Sequence, residues 1–155
     1  VEDEVDPVVT VDAAAYLSED YVGEAAQRLA LYKRLAGIRA ASEIEDARRE
    51  LRDRFGPLPE AAARLLDVVA LRLDAKALRL ERLEVRGGHA LLTFAPSTPV
   101  PPQRIIDLLR IHGRRLRTVR EFVLEATVAR GPWPDTFRAV SRLLAEFRGP
   151  EPARR

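Results

Sequence analysis

Residues 42–59 read SEIEDARRELRDRFGPLP, and this stretch decides the architecture of the first half of the chain. Ile44, Ala47, Leu51 and Phe55 recur at three- and four-residue steps, the spacing of one buried helical stripe. Ser42 with Glu45 three residues on has capping-box spacing, in which hydroxyl and carboxylate each satisfy an orphan backbone amide. Gly56 can take the left-handed conformation that ends a helix, and Pro57 cannot continue one. At about 100° per residue, Glu43, Asp46, Glu50 and Asp53 fall along one flank, with Arg54 between them and the apolar stripe. Arg48, Arg49 and Arg52 lie on the other side. The expected product is a helix with an acidic flank edged by one arginine, stopped hard and followed by another helix.

Upstream, PVVTVD (residues 7–12) is short and β-branched and predicts a first strand. Residues 13–22 read as an extended connection with two tyrosines. A helix over 23–38 would turn Ala25, Leu29, Tyr32, Leu35 and Ala36 inward. Downstream, Pro59 suits a first helical turn, and the pattern runs to about Leu78 on Ala62, Leu65, Leu66, Val69 and Leu73.

The character then changes. LERLEVR (80–86) and ALLTFA (90–95) flank Gly87-Gly88, a two-glycine hairpin signal. Residues 96–102 form a loop, and 102–111 a short helix on Ile105, Ile106, Leu108 and Leu109. Residues 112–120 read as a loop. Residues 121–128 alternate Phe122, Leu124 and Ala126 on one side, as a half-buried strand does. Asp135 is the expected cap of a last helix through Phe147, with Phe137, Val140, Leu143 and Leu144 inward and Trp133 packed over it. The class is α+β: an N-terminal helical half, then a small antiparallel or mixed sheet with helices packed on it. Residues 8–148 are expected to form a single domain, with 1–7 frayed and 149–155 a disordered tail.

Composition narrows the function classes. Of 155 residues, 46% are apolar and 32% charged, ordinary for a soluble globular protein with one core. No apolar run approaches the roughly 18 residues of a membrane span, and no signal peptide is visible, so no membrane role and a cytoplasmic location are expected. Without cysteine there is neither disulfide nor thiolate site. Without methionine the chain has no initiator, which suggests an excised domain or processed product of a larger protein.

Catalysis finds no footing. His89 falls in a hairpin turn and His112 at a helix end, neither with a partner at motif spacing, and there is no P-loop, metal-ligand cluster or nucleophile motif. No cofactor and no metal are expected. Nucleic acid is the alternative reading: Arg114, Arg115, Arg117 and Arg120 in HGRRLRTVR, with Arg154 and Arg155, can contact phosphates as an accessory binding domain would. Against it stand the net charge of +2, from 26 cations and 24 anions, and the lack of interleaved aromatics.

Three linked motifs carry a resemblance. YLSEDYVGEAAQRLALYKRLA (16–36) is followed by ARRELRDRFGPLPEAAARLL (47–66), and EDY, QRL-x-x-Y-K-R-L-A and DRFGPLP are their most specific parts. Over roughly residues 8–147 the chain resembles the C-terminal domain of the bacterial transcription-repair coupling factor. The resemblance implies a non-catalytic regulatory module at the end of a DNA translocase that displaces stalled RNA polymerase and recruits excision repair. It implies packing on an N-terminal repair-helicase-like module of the same parent, which hides the surface that recruits the damage-recognition ATPase. The family's contacts lie in the E-L-x-D-R segment, here Glu50, Asp53 and Arg54, with Glu43 and Asp46 as secondary candidates. By residue pattern alone that flank reads as a solvated helix face. A monomer without strong nucleic-acid binding is expected.

Overall fold

The computed structural model describes residues 4–150. Among them are five α-helices and five strands, the α+β class expected. They divide into two compact units, residues 13–73 and residues 4–12 with 74–150, and the division falls within one helix.

The first unit is helical: α1 (Ala25–Ala36), α2 (Ala41–Phe55) and most of α3 (Glu60–Ala77). Its core gathers Leu31, Leu35 and Ile38 with Ile44, Ala47 and Leu51 of α2 and Ala62, Leu66 and Val69 of α3; Leu17 and Val22 of the preceding connection complete it. Burying each large aliphatic side chain contributes about 1.5–3 kcal/mol. The stripe on α1 differs from expectation. Leu31 and Leu35 are buried, whereas Ala25 and Ala36 are exposed and Leu29 is 56% exposed. Tyr32 also stays at the surface, its hydroxyl accepting a 2.7 Å bond from the Leu17 amide. Alanines on every face make several apolar arcs equally plausible in sequence, and the neighbouring helices select one.

The start of α2 is also corrected. The helix begins at Ala41 with Ala40 at the cap position and no side-chain cap bond, so Ser42 lies inside the first turn and the capping box does not form. Its end is as read: Gly56 has φ +91° and donates its amide to Arg52 O at 2.9 Å.

The second unit is a five-stranded sheet with helices: β1 (Val8–Val11), β2 (Leu80–Arg86), β3 (His89–Phe94), β4 (Leu116–Arg120), β5 (Val123–Thr127), α4 (Pro102–His112) and α5 (Trp133–Arg148). The strand order is β1-β2-β3-β5-β4. β1 runs parallel to β2 and the other pairs are antiparallel, making the sheet mixed. Gly87 and Gly88 close the β2–β3 hairpin with φ +56° and +80°, a turn that needs left-handed backbone at both positions. Cross-strand pairs Leu83–Leu92 and Leu92–Leu124 are buried with Phe94, which meets Phe147 of α5 edge-on at 5.4 Å.

Four expectations fail here. The loop expected over 112–120 contains β4, preceded by a 3₁₀ turn (Gly113–Arg115). β4 carries no alternation because it is an edge strand with only Leu116 buried. β5 begins at Val123, so Phe122 belongs to the turn before it, at φ +63° and 44% exposed, and does not share the stripe of Leu124 and Ala126. Finally, α5 starts two residues before Asp135, with Pro132 at the cap position; Asp135 pairs instead with Arg138. Trp133 is buried and stacks on Phe137 at 6.1 Å, which leaves it no role as an exposed contact. On α4 Leu108 is buried but Ile106 is 47% exposed.

Candidate functional site

The acidic flank of α2 is positioned from both ends of the helical unit. The stripe of Ile44, Ala47 and Leu51 faces the core, which turns Glu43, Asp46 and Asp53 outward. Glu50 lies about 60° from Ala47 at 100° per residue and, unlike the other three acids of the flank, it is half-buried.

That position gives Glu50 a partner the sequence reading missed. Arg34, in the last turn of α1, pairs with Glu50 Oε2, an oxygen shielded from solvent. Arg54 reaches the other oxygen of Glu50 at 3.7 Å, and its guanidinium lies 4.9 Å from the ring centroid of Phe55. Glu50 thus sits between two arginines, one from each helix, and joins α1 to α2. Asp46 pairs with Arg49 on its own helix. Asp53 and Glu43 are exposed, and no cation lies within ion-pair distance of either among the described residues. Of the three principal candidates, the structure brings Glu50 and Arg54 together and leaves Asp53 open.

The end of the helix is tied by Tyr21. Its hydroxyl shares one proton between Leu51 O at 3.1 Å and Gly56 O at 2.9 Å, and its ring lies 5.8 Å from that of Phe55. The tyrosine of EDY therefore clamps the glycine of DRFGPLP, two motifs 35 residues apart. Burial raises the Tyr21 phenol above its usual 10.0, opposed by the positive charge of Arg52. Nearby, Arg72 of α3 donates to Leu35 O and Ile38 O, satisfying carbonyls at the end of α1. These bonds hold Arg34, Glu50 and Arg54 on a fixed frame.

The arginine cluster is not one surface. Arg117 is engaged across the sheet by Glu125 at 2.9 Å, while Arg114 and Arg115 lie in the 3₁₀ turn and Arg120 closes the edge strand. Arg154 and Arg155 fall outside the described residues. His112 meets Glu146 at 2.5 Å, away from His89 in the β2–β3 hairpin. Among the described residues no three His, Cys, Asp or Glu side chains group as metal ligands, and no helix is long and apolar enough to cross a membrane.

Residues 11–105, from β1 through the helical unit and the β2–β3 hairpin into α4, match the family model of the TRCF domain. This chain belongs to the TRCF domain family. Over 101 residues this TRCF domain is 37% identical to the transcription-repair-coupling factor of Escherichia coli (strain K12), covering 65% of this chain and 9% of that protein. Against the same factor of Haemophilus influenzae it is 34% identical over 96 residues, 62% of this chain and 8% of the relative. The match to the factor of Staphylococcus epidermidis is longer and weaker, 23% over 148 residues, or 93% of this chain and 13% of that one. The TRCF domain thus spans only a small part of these relatives. Its fold is that of the crystal structure of a C-terminal domain of transcription-repair coupling factor, at a TM-score of 0.73 and 19% identity, with 92% of this chain and 93% of that chain covered.

Proposed function

We propose that residues 8–148 act as one non-catalytic regulatory module of a cytoplasmic transcription-repair coupling factor, a clamp that packs on the repair-helicase-like module of the same parent. In the packed state it hides the surface that recruits the damage-recognition ATPase of excision repair and restrains the translocase that displaces RNA polymerase. The observation that supports this reading is Asp53, an exposed carboxylate without an ion partner, beside Arg54 at a helix end held rigid by Tyr21. Asp53 can accept a two-pronged arginine contact and Arg54 can donate one. Such contacts make a polar interface that opens, unlike an apolar seam. Glu50 has a different part: paired with Arg34, it orients Arg54 and contributes its remaining edge to a basic partner.

The test compares the full-length parent with its Asp53→Ala/Arg54→Ala variant. Losing charge-paired contacts at an interface costs about 2–5 kcal/mol where the partner's charges stay buried. The variant should bind the damage-recognition ATPase more tightly and hydrolyse ATP faster than the parent. Unchanged recruitment and unchanged hydrolysis, with the domain still folded, would mean that the flank is only a solvated helix face.

A further inference from the structure

The sheet unit carries an apolar groove that the clamp reading does not use. It measures about 380 Å³ and runs beside the end of the sheet, floored by Phe94, Val100, Ile105 and Leu124 and rimmed by Thr118, Arg120 and Phe122. None of the residues lining it is acidic. Its rim includes the end of β4, an outer strand bonded in the sheet to β5 alone. Val119 stands out there at the bulge between Thr118 and Arg120, 42% exposed.

Phe122 is the unusual element. An aromatic residue rarely accepts left-handed backbone, yet Phe122 is fixed at φ +63° by its carbonyl, which accepts the Phe94 amide at 2.8 Å. The conformation leaves the ring at the mouth of the groove, 44% exposed. A glycine would make this turn without strain, so the side chain is not there for the turn.

The charges select the occupant. Arg120, the charged residue lining the groove, has no carboxylate within ion-pair distance among the described residues, while Arg117 is held by Glu125. A second copy of this chain would set arginine edge against arginine edge. A strand with carboxylates meets no such repulsion. Nucleic acid fits less well, because the groove is narrow and apolar and offers Phe122 as its single exposed aromatic. We propose that this groove and the free edge of β4 bind an extended peptide segment with one bulky apolar residue flanked by Asp or Glu. The apolar residue fills the groove against Phe122, Arg120 pairs with a flanking carboxylate, and the backbone adds to β4. This surface is independent of the α2 flank.

The test is selection of a random twelve-residue peptide display library against the 155-residue chain, followed by titration of a fluorescein-labelled peptide made from the enriched sequences. Enrichment of one large apolar residue flanked by at least two acids is expected. Binding should weaken at least tenfold in Arg120→Glu and in Phe122→Gly. The glycine variant separates binding from folding, because it should melt no lower than the parent chain while losing the peptide. Amide shifts on peptide addition should centre on Val119, Phe122 and Ile105. Enrichment without acids, or peptides indifferent to both substitutions, would overturn the proposal. So would a twelve-nucleotide single strand that binds more tightly than any selected peptide and is lost in Arg120→Glu, which would make the edge a nucleic-acid surface.

Discussion

The helical unit and the sheet unit display opposite charge in opposite ways. On α2 the acids lie on a helix flank, and two of the four already have arginine partners within the unit. On β4 Arg117 is paired with Glu125, while Arg120 at the rim of the groove has no acid among the described residues. A helix flank places side chains about 5–6 Å apart at three- and four-residue steps and lies beside a neighbouring helix, so its charges find partners on their own helix, as Asp46 does, or on the next, as Glu50 does. An edge strand has a neighbour on one side only, and what projects from the other side waits for something outside the chain. The contrast teaches that pairing depends on the element as well as on the number of charges.

The largest effect should come from what the two units share. Leu51 and Leu92 are each almost wholly buried, one in each unit, and Leu51→Ala or Leu92→Ala should lower stability by about 2–5 kcal/mol in urea titrations. A unit whose leucine is replaced without loss would not owe its fold to apolar burial. Next is Tyr21→Phe, which removes the bonds to Leu51 O and Gly56 O and should cost about 1–2 kcal/mol. Because the folded phenol titrates above 10.0, its contribution is complete below that pH and is lost as pH rises through the raised value. The parent should therefore lose stability in strong alkali and the phenylalanine variant should lose less.

Asp74 is the sheet unit's counterpart, its carboxyl raised above 3.8 by burial and lowered again by Arg148. Asp74→Asn should melt higher than the parent at pH 7, and the gain should vanish below about pH 3.8, where both side chains are neutral.

Smaller effects separate the acids of α2. Glu50→Ala breaks a partly exposed ion pair between two helices and should cost about 0.5–1 kcal/mol, with Arg34→Ala similar and the double variant no worse than either. Asp53→Ala should stay within about 0.5 kcal/mol of the parent chain. Equal losses at Glu50 and Asp53 would erase the distinction between a positioning acid and an open one.

Local chemistry was legible where it is short-range. The stripe of Ile44, Ala47 and Leu51, the glycine stop at Gly56 and the Gly87-Gly88 hairpin depend on residues within a few positions of one another, and periodicity and backbone freedom state them directly. The sequence also marked Glu50, Asp53 and Arg54 as one flank. It could not show that β4 is a strand, because an edge strand buries one residue and leaves no alternation. Nor could it choose the buried arc of α1 among alanines, since only the packing of α2 and α3 makes that choice. The Arg34–Glu50 pair and the bonds from Tyr21 to Leu51 and Gly56 join residues 16 to 35 positions apart. No local pattern encodes such separations; the helices must first be packed, and only then do burial and hydrogen bonding decide which acid is held and which stays open.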